Sequence, residues 1–163
     1  MPAPETFALV RPDGVTLHGL CWRPANAAVS PSRTVVIVHG LGEHVGRYAA
    51  LADWLAARGW TVRGHDHRGH GRSQGARGTL KASHDLVDDL AAAIDALDTN
   101  DAGRPLLLGQ SMGGLVALTY ALVSVAPAQG ALRGALSLLP MLVLAGVSAL
   151  SAPRAGVLTA VFA

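Results

Sequence analysis

Hydrophobic and polar positions alternate along the first part of the chain. Residues 6–11 and 15–22 place apolar side chains at about every second position, which is typical of strands with one buried face. The two segments flank the turn Pro12-Asp13-Gly14, so the pattern predicts an antiparallel hairpin. Cys21 falls in the second segment, where we expect a small buried apolar side chain rather than a reactive thiol.

Farther along, continuous apolar runs alternate with segments of helical periodicity. The runs at residues 34–40, 60–64 and 104–110 predict strands buried on both faces. Apolar residues recur at helical spacing over residues 48–58 and 86–97, and Gly59 ends the first of these two helices. Because strands and helices alternate, we expect a mostly parallel sheet with helices packed on both faces.

The second of these helices carries five of the 11 acidic residues of the chain. Ser83 is expected to cap its N-terminus, because a serine hydroxyl accepts from the free amides of the first turn. We interpret the acidic side chains as a solvated outer face rather than a metal site. These residues are Asp85, Asp88, Asp89, Asp95 and Asp98.

The segment LLLGQSMGGL, residues 106–115, predicts a strand that turns directly into a helix with Ser111 at the bend. Gly109 and Gly113 flank the serine at two positions on each side, where a tight turn leaves no room for side chains. Ser111 then lies exposed at the helix N-terminus, and the amide of Met112 is available to an oxyanion. The alternative interpretation is a strand-to-helix turn with a serine of no chemical role.

A second segment of interest, His39-Gly40-Leu41-Gly42-Glu43-His44, follows the first buried strand. An oxyanion hole needs two donors, and a glycine-flanked loop beside the serine can present the second from the amide of Leu41. We interpret His39 and His44 as hydrogen-bonded histidines that shape this loop rather than as bases.

Histidines also recur in HDHRGHGRS, residues 65–73. Their spacing resembles the H-x-H-x-D-H signature of metallo-β-lactamase-fold hydrolases, in which clustered imidazoles hold zinc. Gly69 stands where that signature has an aspartate, and a zinc mechanism leaves the serine motif unexplained. We therefore predict no metal site.

Charge and composition narrow the choice of partners and location. The net charge is +2 without any basic run, which does not favour nucleic acid. A single cysteine and an N-terminus without a secretory pattern lead us to expect a cytoplasmic protein. Residues 134–153 carry no charge, but Pro140, Gly146 and several serines make them a poor membrane helix, so no integral membrane segment is expected.

The three motif segments together resemble the α/β-hydrolase fold, and within it the monoacylglycerol lipase and lysophospholipase branch, often grouped as the serine aminopeptidase S33-like domain. The segments are VVIVHGLGEHVGRY at 35–48, GHDHRGHGRSQG at 64–75 and LLLGQSMGG at 106–114. The resemblance implies Ser111 as nucleophile and the amides of Leu41 and Met112 as oxyanion hole. It also implies supporting roles around that loop for Glu43, His44, Arg47 and Tyr48.

The same resemblance implies an acyl-enzyme mechanism that needs no metal or organic cofactor. The substrate class that it favours is a small lipid-like ester, with monoacylglycerols and lysophospholipids as examples. Acyl length, head group and oligomeric state are left open, as is the choice among lipase, esterase, amidase and peptidase.

The resemblance extends from about residue 6 to residue 138, where residues 132–140 resemble the strand that follows the elbow helix. Residues 139–163 are an apolar tail that we do not place. The chain is therefore interpreted as one incomplete α/β-hydrolase core domain, 1–163, with the C-terminal strands missing. We expect an unpaired sheet edge after residue 138 and a tendency to aggregate.

The residues after the elbow also lack the remaining catalytic groups. The family carries its triad aspartate and histidine there, but no Asp, Glu or His follows Ser111. We therefore expect little esterase activity from residues 1–163 alone. The composition break indicates either a shifted or terminated reading frame or a partial sequence, and the alternative function is a non-catalytic remnant or binding module.

Overall fold

A computed structural model describes residues 2–24, 33–97, 105–125, 146–151 and 156–161. Within these ranges, seven strands form one sheet that three α-helices accompany. The strands are β1 Glu5–Val10, β2 Thr16–Trp22, β3 Thr34–Val38, β4 Thr61–His65, β5 Leu106–Gly109, β6 Gly146–Ser151 and β7 Gly156–Val161. The helices are α1 Ala49–Ala56, α2 Asp85–Asp95 and α3 Met112–Val125, and a 3-10 helix, Val45–Tyr48, precedes α1.

The strand order in the sheet is β1-β2-β4-β3-β5-β7-β6. The four central strands, β4, β3, β5 and β7, run parallel, while β1, β2 and β6 join antiparallel at the two ends. The parallel sheet predicted from the alternation of strands and helices is thus confirmed, and the polar segments that follow β3, β4 and β5 come together at its carboxyl edge.

Strand β3 forms the centre of the core, and all five of its residues are buried. Val36 and Val38 face one side of the sheet, where they pack in a cluster with residues of α2 and α3. Val35 and Ile37 face the other side and pack against α1. Helices therefore cover both faces of the sheet, as predicted.

The N-terminal hairpin also agrees with the prediction. β1 and β2 pair antiparallel around a turn in which Gly14 has a φ of +84°. Phe7 lies opposite Gly19 in the register, and its ring occupies the space that a side chain at Gly19 would fill. Cys21 is buried in β2, as expected for a small apolar residue at that position.

The start of α2 differs from the prediction, because Ser83 is not its cap. The N-cap is His84, which makes no side-chain capping bond. Instead the Asp85 carboxylate reaches back and accepts from the amides of Lys81 and Ala82, both at 3.0 Å. A carboxylate in the first turn satisfies the preceding turn and also interacts favourably with the helix dipole.

The prediction of a solvated acidic face is wrong for Asp89, which is fully buried. Its two oxygens accept from Nε and one terminal nitrogen of Arg68 at 2.7 Å each, and Arg11 Nε approaches one of them at 2.8 Å. A carboxylate is stable at such a position only when cations and donors replace its water. The helical period hid this role because the partners lie far away in the sequence. Asp88 and Asp95 are exposed, and Asp98 lies outside the described residues.

The apolar tail contributes two strands that the sequence pattern did not place. β7 pairs parallel with β5, and β6 pairs antiparallel with β7. The tail thus extends the sheet beyond β5, because its valine, leucine and threonine residues favour strands and β5 offers free backbone groups. Among the described strands, β6 lies at the edge of the sheet. The strand expected at residues 132–140 lies outside the described residues. In the part of the chain that is described, no helix is long and apolar enough to cross a membrane.

Candidate active site

Ser111 lies at a sharp turn between β5 and α3. Its φ is +49°, and it is the single non-glycine residue with positive φ in the described ranges. The turn is closed by bonds from the Gly113 amide to the Gln110 carbonyl at 2.8 Å and from the Leu115 amide to the Ser111 carbonyl at 3.2 Å. A strained, exposed serine between a strand and a helix is the geometry of a nucleophile elbow.

The glycines around Ser111 are there because other backbone atoms occupy the space that a side chain needs. A Cβ on Gly113 would lie 2.0 Å from the Val38 carbonyl oxygen. A Cβ on Gly109 would lie 2.5 Å from Gly114 Cα. The elbow is therefore held by close backbone packing of α3 against the ends of β3 and β5.

The loop after β3 passes directly beside the elbow. A Cβ on Gly40 would lie 2.2 Å from the side-chain oxygen of Gln110 and 3.3 Å from its carbonyl oxygen. Gly42 has a φ of +73°, and the Leu41 side chain is 70% exposed. Met112 is the first residue of α3, so its amide has no acceptor within the helix. The loop and the helix thus bring the Leu41 and Met112 amides to the same end of the sheet as Ser111.

The Glu43 carboxylate ties this loop to the 3-10 helix. Its Oε2 accepts from the Gly40 amide at 3.0 Å and from the Tyr48 hydroxyl at 2.7 Å, while Arg47 lies 3.5 Å from Oε1. The Tyr48 hydrogen bond lowers the pKa of Glu43, so the carboxylate stays ionised. Burial, together with the same bond, raises the pKa of Tyr48, so the phenol keeps its proton and remains a donor.

His39 is completely buried below the loop, and both its ring nitrogens are engaged. Nδ1 lies 2.8 Å from the Gly40 carbonyl, and Nε2 accepts from the His67 amide at 2.8 Å. Burial lowers the pKa of His39 and favours the neutral ring. His39 therefore has no free nitrogen to serve Ser111 as a base. His44 is exposed at the start of the 3-10 helix and makes no side-chain capping bond there.

The loop after β4 makes contacts that the sequence motifs did not reveal. Asp66 accepts from the Val45 amide at 2.7 Å and from the Arg72 amide at 2.8 Å, which joins this loop to the 3-10 helix. The Ser73 hydroxyl donates to the Asp66 carbonyl at 2.5 Å and accepts from the His18 amide at 2.9 Å. The only sequence signal for these roles was the D-x-R-G-x-G-x-S pattern itself, which does not indicate the hydrogen-bond partners of Asp66 and Ser73.

The histidines of this loop engage the protein backbone. His67 Nε2 donates to the His39 carbonyl at 3.0 Å, and His70 Nδ1 lies 3.1 Å from the Arg68 carbonyl. Burial lowers the pKa of His67, and it lowers that of His65 to about 4. Among the residues with described side chains, no three His, Cys, Asp or Glu are grouped to hold a metal ion.

No hydrogen bond within the described ranges reaches the hydroxyl of Ser111. The described part of the site therefore contains an exposed serine and two amides at the same end of the sheet, with no general base in hydrogen-bond contact with the serine. This arrangement can stabilise an oxyanion, but proton removal from the serine requires a group that these residues do not supply.

Comparison with known proteins gives consistent matches. The family model described as serine aminopeptidase, S33, matches residues 29–159. Human monoglyceride lipase is 37% identical over 122 residues, which cover 74% of this chain and 39% of that protein. Monoacylglycerol lipase of Mycolicibacterium smegmatis is 36% identical over 108 residues, which cover 66% of this chain and 38% of the relative.

Solved structures show the same fold. A thermostable carboxyl esterase from Bacillus coagulans, in complex with glycerol, superposes with a TM-score of 0.62 at 22% identity. The match covers 76% of this chain and 41% of the esterase. The chain thus spans about two fifths of the length of each of these three proteins.

Proposed function

This chain belongs to the serine aminopeptidase S33 family of α/β-hydrolases, and from that premise we propose that Ser111 is the nucleophile of a carboxylic ester hydrolase. Attack by the Ser111 oxygen on the ester carbonyl releases the alcohol and forms an acyl-enzyme. Water then releases the acid. The reaction needs no metal or organic cofactor.

One observation carries this proposal: the exposed Ser111 has a positive φ at a strand-to-helix turn where flanking glycines leave no room for a Cβ. Such strain is retained in proteins where it aims a functional side chain. The amides of Leu41 and Met112 are the proposed donors to the oxyanion, which is usually the largest single contribution to catalysis of this kind. Glu43 and Tyr48 support the loop that presents the Leu41 amide.

The proposed substrates are esters of lipid-like alcohols, with monoacylglycerols as the first class to test. The names of the human and mycobacterial relatives support this choice. The proposal includes a cytoplasmic location, for which the single cysteine is the support.

The proposed activity is that of the whole protein, and the expectation for residues 1–163 alone is different. Without a base and an orienting acid, oxyanion stabilisation and binding leave only about 10³-fold acceleration over water. We therefore expect residues 1–163 by themselves to hydrolyse a short-chain nitrophenyl ester far below ordinary enzyme rates.

A fluorophosphonate probe tests the proposed nucleophile on protein isolated from its natural source. We expect the probe on the peptide that contains Ser111, and no labelling of Ser111→Ala. Ser124→Ala is the matched control, because Ser124 lies on the same helix and its hydroxyl is bonded to the Tyr120 carbonyl at 2.8 Å. Labelling elsewhere, or a folded natural protein that takes up no probe, contradicts the proposal.

The second candidate is a non-catalytic binding module that keeps the elbow without its chemistry. The observation in its favour is that no Asp, Glu or His follows Ser111 in the sequence. Peptide mapping of the natural protein past residue 138 distinguishes the two. Peptides that bear an aspartate and a late histidine support the hydrolase, whereas a mature protein that ends in LTAVFA supports the module.

A further inference from the structure

We propose that His67, acting through His39, is a positioning residue that fixes the direction of the Leu41 amide. The proposal rests on the function proposed above, because it concerns the donor assigned to the oxyanion. The family resemblance implies no role for His67. Two consecutive peptide groups at the start of the loop connect His67 with the Leu41 amide.

The first peptide group joins His39 to Gly40, and both its ends are held. Its carbonyl accepts from His67 Nε2 at 3.0 Å, and its N–H donates to Glu43 Oε2 at 3.0 Å. A peptide group is planar, so these two bonds fix its orientation about the chain. The donor that the His67 side chain supplies to the His39 carbonyl comes from a loop 28 residues away.

The second peptide group joins Gly40 to Leu41, and it contains the N–H that is proposed to bind the oxyanion. Its carbonyl lies 2.8 Å from His39 Nδ1 and accepts from the Glu43 amide at 3.3 Å. Because the carbonyl and the N–H of a trans peptide point in opposite directions, holding the carbonyl aims the Leu41 N–H. His39 does so only while Nδ1 carries the proton.

The His67 backbone determines where that proton is. Its amide donates to His39 Nε2 at 2.8 Å, so Nε2 must be the bare nitrogen and Nδ1 the protonated one. The opposite tautomer would place two donors face to face and remove the donor to the Gly40 carbonyl. His67 itself has no partner at Nδ1, which agrees with a proton on its Nε2, since buried donors are rarely left unpaired.

The two rings and the neighbouring loop are packed too closely for either histidine to turn freely. The ring centroids of His39 and His67 are 4.2 Å apart, and both side chains are completely buried. Asp66, the preceding residue, accepts from the Val45 amide at the far end of the oxyanion loop. The loop after β4 therefore holds the oxyanion loop at both ends.

Hydrogen exchange measured by mass spectrometry on the whole protein tests the proposal without reference to hydrolysis. His67→Phe keeps an aromatic ring, although a larger one, and loses the donor, whereas His67→Gln keeps a donor near the position of Nε2. We expect the Phe variant to speed exchange of residues 39–45 about tenfold, as the loss of one buried hydrogen bond implies, and the Gln variant to stay within about threefold of the natural protein. His84→Gln, a change at an exposed histidine, is the control.

Two outcomes of that measurement overturn the proposal: unchanged exchange in the Phe variant, or equally fast exchange in the Gln variant. If the Phe variant does not fold, the imidazole ¹⁵N spectrum of the natural protein decides instead. A proton on Nδ1 of His39 and on Nε2 of His67 supports the proposal. The reverse tautomer of His39, or rapid averaging between the two, refutes it. These results do not depend on fluorophosphonate labelling, so failure of the hydrolase proposal is recognised separately.

Discussion

The turn after β5 and the loop after β4 leave the same edge of the sheet, but different forces hold them. The elbow at Ser111 depends on backbone atoms in contact, with glycines wherever a side chain would collide. The loop at residues 66–73 depends on buried polar side chains, namely a paired carboxylate, a guanidinium and neutral imidazoles. We infer that the elbow is sensitive to volume and indifferent to pH, whereas the loop is sensitive to charge and protonation.

The largest expected effect comes from adding one methyl group to the elbow. Gly113→Ala places a Cβ 2.0 Å from the Val38 carbonyl oxygen, and the helix cannot shift without leaving β3. We expect a loss of more than about 4 kcal/mol in the free energy of unfolding, measured by urea denaturation.

Gly78→Ala is the matched control for this substitution. Unlike Gly113, Gly78 has a positive φ, of +69°, and a Cβ there meets nothing within 4 Å. In Gly78→Ala, backbone strain alone is expected to lower the free energy of unfolding by about 1 kcal/mol. Equal losses in the two variants would show that close packing does not hold the elbow.

The next largest effect concerns the buried charge beneath the loop. Asp89→Asn keeps the shape of the side chain but removes the charge that Arg68 and Arg11 share, and it leaves Arg68 only the less buried carboxylates of Asp13 and Asp85. Removing one partner of a buried ion pair costs about 3 kcal/mol or more. Asp95→Asn on the same helix, at an exposed position, should change the unfolding free energy by less than about 0.5 kcal/mol. A small loss of unfolding free energy in Asp89→Asn would mean that water already reaches the ion pair between Asp89 and Arg68.

Acid is expected to lower the free energy of unfolding through the buried histidines at the end of β4 and in the loop that follows it. The pKa of His65 falls to about 4 in the folded protein, below the usual value of 6.5, because burial disfavours the cation. The unfolded chain therefore binds more protons between pH 6.5 and pH 4, and stability falls as the pH falls through that range. One such histidine lowers the free energy of unfolding by up to about 1.4 kcal/mol for each pH unit in that range.

Denaturant titrations at pH 7 and pH 5 measure this loss. His65→Leu removes the titrating group, and both nitrogens of His65 are buried without partners, so no hydrogen bond is lost with it. We expect the unfolding free energy of the variant to depend less steeply on pH, by the contribution of one titrating group. A slope equal to that of the natural protein would assign the acid sensitivity to other groups.

The smallest expected effect is a gain in stability at the elbow itself. Ser111→Gly relieves the positive φ of +49° and should raise the unfolding free energy by about 1 kcal/mol relative to Ser111→Ala, which keeps the strain. Equal stability of the two variants would show that the backbone at Ser111 is not strained. The difference in unfolding free energy between Ser111→Gly and Ser111→Ala should be the same at pH 5 and pH 7. The effect of His65→Leu, in contrast, should change with pH.

The same contrast explains how much the sequence could predict. The elbow, the buried strands and the two faces of the core depend on local patterns, and Gly109, Ser111 and Gly113 could be read directly. The loop depends on pairs that are distant in sequence, such as Arg68 with Asp89 and His67 with His39, which no period or short motif reveals. The predicted cap at Ser83 is wrong because α2 begins after His84, and the Asp85 amide donates to the Ala82 carbonyl rather than to the Ser83 hydroxyl.

The bond between Arg11 and Asp89 also has a consequence for how the protein is made. The two residues are 78 positions apart. At a synthesis rate of about 5–20 residues per second, Arg11 waits roughly 4–16 s for its partner to be translated. During that interval the first hairpin can form and β2 can pair with β4, but Arg11 still lacks its carboxylate. The hairpin thus gains its ion pair with α2 only after its own two strands have been synthesised.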